Sequence, residues 1–372
     1  MRYTTAQKLA HIGRVIIAWT LAYTFFGFLR MYGIQDLPEA EFAQVWTPRD
    51  LIVQLVVASL ATGILYGSLD LLLDRPRIQR WAYWKILTLK TSLNLVIVVV
   101  VLILLIMSGV QLGVIDPDSM LDTRQPRVAI SKSAFIFIVY FLFVDTLLSM
   151  YQQVKQKFGR GIFQEMLLGK YHKPKEADRI FMFIDLKSSV TIAERLGHVH
   201  YSYLLQDCYF DLNTQLNRFK ARIYQYVGDE VVLYWDLHDG LMDNNCVMMY
   251  FGFMDRLEQR RKYYERRYGL MPFFKAGAHL GRVTVAEVGL LKRDIAFHGD
   301  TVNTTSRIHD QCNVYNEQLL VSKDLLVRLE PGAVLQFNLI GSEVLKGKHS
   351  SLEIYAVDRV QQAAAVPVAQ HS

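Results

Sequence analysis

The chain has 372 residues, 52% of them hydrophobic and 20% charged, with a formal net charge of +6; at about 150 residues per domain, that length allows two or three domains. A mean hydropathy of +0.16 is high for a purely soluble protein, and these figures exclude a disordered chain, a collagen-like repeat and a small disulfide scaffold. Cys208, Cys246 and Cys312 lie in the C-terminal half without metal-ligand spacing, which reads as reduced thiols in a cytosolic setting.

Four long apolar runs come first, at residues 15–32, 51–73, 91–110 and 133–150. Each approaches the ~20 residues that a helix needs to cross a hydrocarbon core. Polar residues and Pro38 follow the first run with no small-residue cleavage pattern, so it reads as a span rather than a signal peptide. Basic residues (Arg2, Lys8, Arg14; Arg75, Arg77, Arg80, Lys85; Lys155, Lys157, Arg160) flank one side of every run. The loops on the other side are acidic, with Asp36, Glu39 and Glu41, then Asp116, Asp118 and Asp122. This positive-inside alternation predicts a bundle of four transmembrane helices in the inner (plasma) membrane, with both termini cytoplasmic and the lipid bilayer as partner. It also accounts for the basic excess, so no nucleic-acid partner is expected. Asp70, Lys90 and Asp145 lie within or near the ends of these runs. An ionisable group inside a span is costly and often functional, whereas at the interface it is cheap; Asp145, the most central, is open to either reading.

A helical stripe of Leu147, Tyr151, Val154 and Phe158 continues past the fourth run. Its spacing is that of a coiled coil. After the break at residues 158–161, Ile162, Phe163, Met166 and Leu167 form a second amphipathic piece. The stretch is either a helix packed on its own domain or a dimerising stalk.

From Arg179 short apolar runs alternate with amphipathic helices. Residues 179–186 (RIFMFIDL) read as a buried strand. Residues 199–219 read as a helix with Leu204, Cys208, Leu212 and Leu216 on one face. Residues 221–228 and 230–237 are β-rich runs hinged at Gly228 and Asp229, a hairpin signature. Residues 240–268 read as one long helix, and a helix at 301–315 with strands through Asp358 completes an α/β layered domain. The expected organisation is a transmembrane domain at 1–150, a helical signalling linker at 151–176, a catalytic domain at 177–360 and a flexible tail at 361–372.

Three clusters carry chemistry. Asp185 ends a buried strand, and Asp229 lies in the hairpin turn forty-four positions later. Pairing of that hairpin beside the strand would bring the carboxylates together as a hard oxygen site suited to Mg²⁺. Two such ions stabilise attacking and leaving oxygens in phosphoryl transfer. The amides of Lys187, Ser188, Ser189, Val190 and Thr191, where the next helix opens, are placed to hold phosphate oxygens. In the second cluster Asn303 and Arg307 stand four apart on one helix face, where an amide and a guanidinium orient a sugar and neutralise phosphate charge. The third is a basic turn, Leu345-Lys346-Gly347-Lys348.

In this order the clusters resemble the class III nucleotide cyclases, the adenylate and guanylate cyclase catalytic domains. FxDL at 183–186, VGDE at 227–230, GDTVNxxSR at 299–307 and LKGK at 345–348 carry the likeness. The resemblance implies a ferredoxin-like, palm-like α/β core and a homodimer with two interfacial sites. Asp185, Asp229 and the carbonyl of Leu186 would bind two Mg²⁺ or Mn²⁺ ions per site. From the partner chain Asn303 would position the ribose and Arg307 would stabilise the transition state, while Lys346 holds the terminal phosphates. ATP would become 3′,5′-cyclic AMP and pyrophosphate.

Two positions depart from the pattern. The purine-reading residue, commonly Lys or Glu, is Gln225, and its usual partner, commonly Asp, Thr or Cys, is Ala296. A glutamine amide donates and accepts, so it suits either purine edge. ATP is favoured by analogy with similar bacterial architectures; GTP, or both nucleotides, and a non-catalytic nucleotide-binding receptor are the alternatives. A diguanylate cyclase is disfavoured because Val227 precedes a single glycine. The arginine that the family often places before GDTVN falls at Leu291, with Lys292 or Arg293 as substitutes.

Overall fold

The computed structural model describes residues 5–33, 48–73, 78, 81–111, 126–158, 162–290, 293–330, 334–343 and 351–360. The chain forms two compact units, Met1–Val154 and Lys155–Ser372. Lys346, Leu291, Lys292 and the tail at 361–372 lie outside the described residues, as do the acidic loops and the side chains of Val154, Phe158, Ile162, Phe163 and Leu167.

The first unit is built on helices α1 (Thr5–Gly33), α2 (Pro48–Leu73), α3 (Tyr83–Gln111) and α4 (Pro126–Phe158). All four are long and apolar enough to cross a membrane. Their apolar residues point both ways. Trp19, Tyr66, Val98 and Phe141 are buried inside, with Trp19 stacked on Phe141 at 4.5 Å, while Leu21, Phe25, Ile64, Val96, Ile103, Phe135 and Phe143 are exposed. A helix apolar on every face suits a lipid surround rather than water.

Polar groups are gathered inside instead. Lys90 Nζ lies 2.9 Å from Asp70 Oδ1 and donates to Gln152 Oε1 at 3.0 Å, and Gln152 Nε2 donates to Asp70 Oδ2 at 2.9 Å. Asn94 Nδ2 donates to both carboxylate oxygens of the buried Asp145, at 2.8 and 2.9 Å. Asp70 and Lys90 thus neutralise each other across α2 and α3, which lowers the cost of keeping either in an apolar bundle.

The second unit contains α5 (Ile162–Leu167), β1 (Lys175–Leu186), α6 (Ser189–Leu216), β2 (Arg222–Val227), β3 (Glu230–Asp236), α7 (Leu237–Leu241), α8 (Asn245–Gln259), α9 (Arg261–Tyr268), β4 (Phe274–Val288), β5 (Asp294–His298), α10 (Asp300–Val314), β6 (Leu319–Ser322), α11 (Lys323–Leu326), β7 (Leu335–Glu343) and β8 (Leu352–Arg359). Among the described residues the strands form one sheet in the order β2-β3-β1-β4-β6-β8-β7, with β5 paired to β4. The pairs are antiparallel except β4 with β6.

β1 explains why its sequence reads as one apolar run. Successive side chains point to opposite faces, and both faces are covered. Ile180, Met182, Ile184 and Leu186 pack with residues of α6, α8 and α9, including Leu204, Cys208, Phe253 and Tyr264. Phe181 and Phe183 pack on the other face with Tyr234, Val283 and Phe297. The three cysteines are buried free thiols, Cys208 and Cys246 in the first of these layers and Cys312 in a separate cluster with Ile308, Leu320 and Ile354.

The expected single helix at 240–268 is instead α8 and α9, broken at Arg260, whose backbone has φ −107°. The Arg260 guanidinium reaches Asp211 Oδ2 at 2.5 Å and stacks over the Tyr263 ring. The helix expected to open near Ser188 and the one expected at 199–219 run together as α6, kinked at Gly197, whose backbone is not helical.

Candidate active site

The register of the sheet assembles the site. Asp185, one residue before the end of β1, lies opposite Glu230 of β3 on one side and Lys275 of β4 on the other. Gly228, at φ +61°, makes the β2–β3 turn, a backbone conformation that costs glycine little. Asp229 follows it, so the turn delivers this carboxylate beside Asp185. Tyr209 of α6 buttresses the turn, its hydroxyl donating to the Gly228 carbonyl at 3.0 Å.

Burial, and then the negative charge of Asp229, push the Asp185 carboxyl above the usual carboxylate range, opposed by Lys275. Lys275 Nζ stands 3.3 Å from Asp185 Oδ2. Glu230 rises to about 7, through burial first and then the charges of Asp185, Asp310 and Asp229. His309 Nδ1 lies 3.8 Å from Glu230 Oε2. Burial, aided by Lys275, lowers His309 to about 4, so this contact is between a neutral imidazole and a carboxyl rather than an ion pair. Its Nε2 is buried with no hydrogen-bond partner among the described residues. Gly277 makes the close approach possible, since a Cβ there would stand 2.4 Å from the His309 backbone nitrogen.

Among the described residues no set of three His, Cys, Asp or Glu side chains is arranged to hold a metal ion. Two repelling carboxylates nevertheless fit Mg²⁺ or Mn²⁺. Magnesium is commonly held by one or two carboxylates, with phosphate and water completing the shell.

The remaining expected residues are distributed around this pair. The Leu186 side chain is buried, which anchors the strand end. Ser188, at φ 58°, precedes α6 and its side chain makes no capping bond. Helix geometry leaves first-turn amides such as those of Ser189, Val190 and Thr191 without intrahelical acceptors. The Lys187 amide is not available to a phosphate, because it donates to the Phe273 carbonyl at 2.8 Å. Asn303 is exposed and Arg307 half-buried on α10. Among the described residues no hydrogen bond or ion pair joins either of them to Asp185 or Asp229. Gln225 is exposed on β2 beside a register shift, and Ala296 on β5 faces Ala286. Arg293 pairs with Glu287 at 3.3 Å across the β4–β5 hairpin.

Lys275, Glu230, His309 and Tyr209 were not legible as site residues. Lys275 left one signal, a lone charge inside the apolar run FKAGAHL, which a buried strand tolerates only with a partner. Tyr209 and His309 depend on strand and helix pairing that no local pattern encodes, and Glu230, although part of VGDE at 227–230, had no role assigned there.

Residues 172–359 match the family described as the adenylate and guanylate cyclase catalytic domain. The chain is 31% identical over 234 residues to Adenylate cyclase 2 of Rhizobium meliloti (strain 1021), covering 63% of this chain and 64% of that protein. It is 25% identical over 182 residues to the adenylate cyclase of Anabaena cylindrica, covering 47% and 36%. A solved structure of a bacterial light-regulated adenylyl cyclase shares the fold at a TM-score of 0.50 and 16% identity, over 59% of this chain and 64% of that one. The chain thus spans less than two thirds of the length of each of these relatives. With half of its residues matched by the family, the chain belongs to the class III nucleotide cyclases.

Proposed function

We propose that the chain is a membrane-anchored adenylate cyclase that converts ATP to 3′,5′-cyclic AMP and pyrophosphate at a homodimer interface. The observation that carries this reading is the juxtaposition of Asp185 and Asp229, a strand-end and a turn carboxylate whose charges act on each other. The order β2-β3-β1-β4, with α6, α8 and α9 packed on one face, supports a ferredoxin-like, palm-like core.

Asp185 and Asp229, with the Leu186 carbonyl, would hold two Mg²⁺ or Mn²⁺ ions. When bound, such ions lower the charge on the reacting phosphate and polarise the attacking and leaving oxygens. The first-turn amides from Ser188 to Thr191 cradle phosphate oxygens at the positive end of α6. Lys346 holds the terminal phosphates. The ribose 3′-hydroxyl attacks the α-phosphorus in line, a new P–O bond forms, and the bond to the β-phosphate oxygen breaks to release pyrophosphate. Asn303 orients the ribose and Arg307 neutralises charge growing on the α-phosphoryl oxygens. The lack of a polar link between these two residues and the aspartates within one chain supports their acting from a second copy.

Adenylate cyclase names among the relatives favour ATP. GTP is the second reading, favoured by Gln225 and Ala296, because one amide without a charged partner suits either purine edge. The four apolar helices and the positive-inside loops favour a multi-pass anchor with the catalytic domain cytoplasmic. Incubation of the purified full chain with Mn²⁺ and either ATP or GTP, followed by chromatography, tests the reading. Cyclic AMP as the main product supports it; cyclic GMP alone transfers the assignment to GTP, and no cyclic product from either contradicts catalysis.

A further inference from the structure

The polar interior of the helical bundle holds a carboxyl group whose partners do not balance its charge. Asp145 of α4 is 4% exposed, and Asn94 of α3, which faces it, is wholly buried. A single nitrogen, Asn94 Nδ2, donates to both carboxyl oxygens at 2.8 and 2.9 Å. The amide's own oxygen, Oδ1, is buried with no hydrogen-bond partner among the described residues. The groups around this pair bring no counter-charge to Asp145. From α2, the Tyr66 hydroxyl is shared with Ser149 of α4 at 3.2 Å. Asp70 of α2 takes Lys90 of α3 and Gln152 of α4, each at 2.9 Å, and His11 of α1 stands 3.7 Å from Asp70. Trp19 of α1 packs its ring on Phe141 and Tyr66. Asp70 and Asp145 thus have one lysine between them, and its ammonium is spent on Asp70.

We propose that Asp145 is a proton-binding site of the bundle, closed with Asn94 as a paired acid and amide. A lone carboxylate in apolar surroundings is neutralised rather than kept charged. Uptake of one H⁺ from water forms an O–H bond on one carboxyl oxygen. That hydroxyl donates to Asn94 Oδ1, and the other carboxyl oxygen accepts from Asn94 Nδ2. An amide and a carboxyl group space their two polar atoms alike, so a small rotation of the Asn94 amide closes the ring of two hydrogen bonds. One proton thereby removes both the uncompensated charge and the orphaned acceptor, each of them costly when buried. A sodium ion in the same place would instead meet the N–H donors of Asn94, which repel it. The site opens toward the end of the bundle where α1 begins, since His11 and Lys90 are partly exposed there. On the opposite side Phe26, Phe137 and Tyr140 pack ring against ring.

The test is infrared difference spectroscopy of the purified full chain in lipid nanodiscs at neutral pH, wild type minus Asp145→Asn, in which carboxyl groups common to both cancel. The expected result is a protonated-carboxyl C=O band in the wild type that is lost in the variant and shifts down in heavy water. It should move to higher frequency in Asn94→Leu, where the acid has no amide partner. Asn94→Ala carries the same comparison where Asn94→Leu does not assemble. A carboxylate band in place of the acid band overturns the proposal, and an acid band that neither Asn94 substitution moves overturns the pairing with the amide. Thermal unfolding in sodium chloride and in choline chloride separates a proton from a metal ion. Equal Tm values in the two salts are expected for wild type and for Asp145→Asn. A Tm raised by sodium in the wild type alone would assign the site to a metal ion and overturn the proposal. Both readouts are independent of nucleotide turnover, so they stand or fall apart from the cyclase reading.

Discussion

Asp185 sits between a like charge and an opposite one, and the balance of the two sets its state. Burial, and then Asp229, push its proton affinity up, while Lys275 pulls it down. The aspartate pair was legible because acids at a strand end and in a glycine turn are local features. Lys275 and His309 were not, since each gains meaning only from a neighbour brought by pairing. His309 makes a separable prediction. Its value of about 4 in the folded chain lies below the ordinary histidine value of 6.5, so its contribution to stability is complete above pH 6.5 and is lost as pH falls toward 4. His309→Gln should therefore flatten part of the acid-side decline of Tm between those values. An unaltered slope in thermal unfolding from pH 7 to 4, with EDTA present, would count against a buried neutral imidazole.

Elements are held in place by a few buried polar groups. Asp211 of α6 is wholly buried and accepts from Arg256 Nε at 3.1 Å, Arg260 at 2.5 Å and the Tyr264 hydroxyl at 2.6 Å. This one carboxylate ties α6 to both halves of the broken helix, which is why apolar periodicity alone read residues 240–268 as continuous. Removing it leaves two guanidinium groups facing an apolar layer. Asp211→Ala should cost about 3–5 kcal/mol, measured by urea unfolding, and a loss below about 1 kcal/mol would show that the arginines find water instead. Tyr209→Phe should cost about 1 kcal/mol and lower turnover by loosening the turn that carries Asp229. Stability loss with full turnover would place Tyr209 outside the site's support. The hairpin itself was readable from Gly228 and the flanking β-branched residues, and β2 and β3 fall within one or two residues of expectation.

At the scale of the whole molecule, composition divides the chain before any motif does. The apolar runs became four helices with aromatic interiors and apolar exteriors. The interior pairing of Lys90 with Asp70, and of Asn94 with Asp145, was invisible because charge counting treats each residue alone. Assembly, by contrast, makes a sharp prediction. Asp185→Ala and Arg307→Ala chains, each inactive alone, should regain part of the wild-type turnover when mixed, because one of two shared sites is then intact. Verified mixed dimers without recovery would argue for a site contained in one chain. The most direct test of the central claim is nucleotide turnover by Asp185→Ala and Asp229→Ala, each confirmed folded and inserted in membrane. A fall of at least about 100-fold from wild-type cyclic nucleotide formation is predicted for both, and undiminished turnover in either would contradict the account.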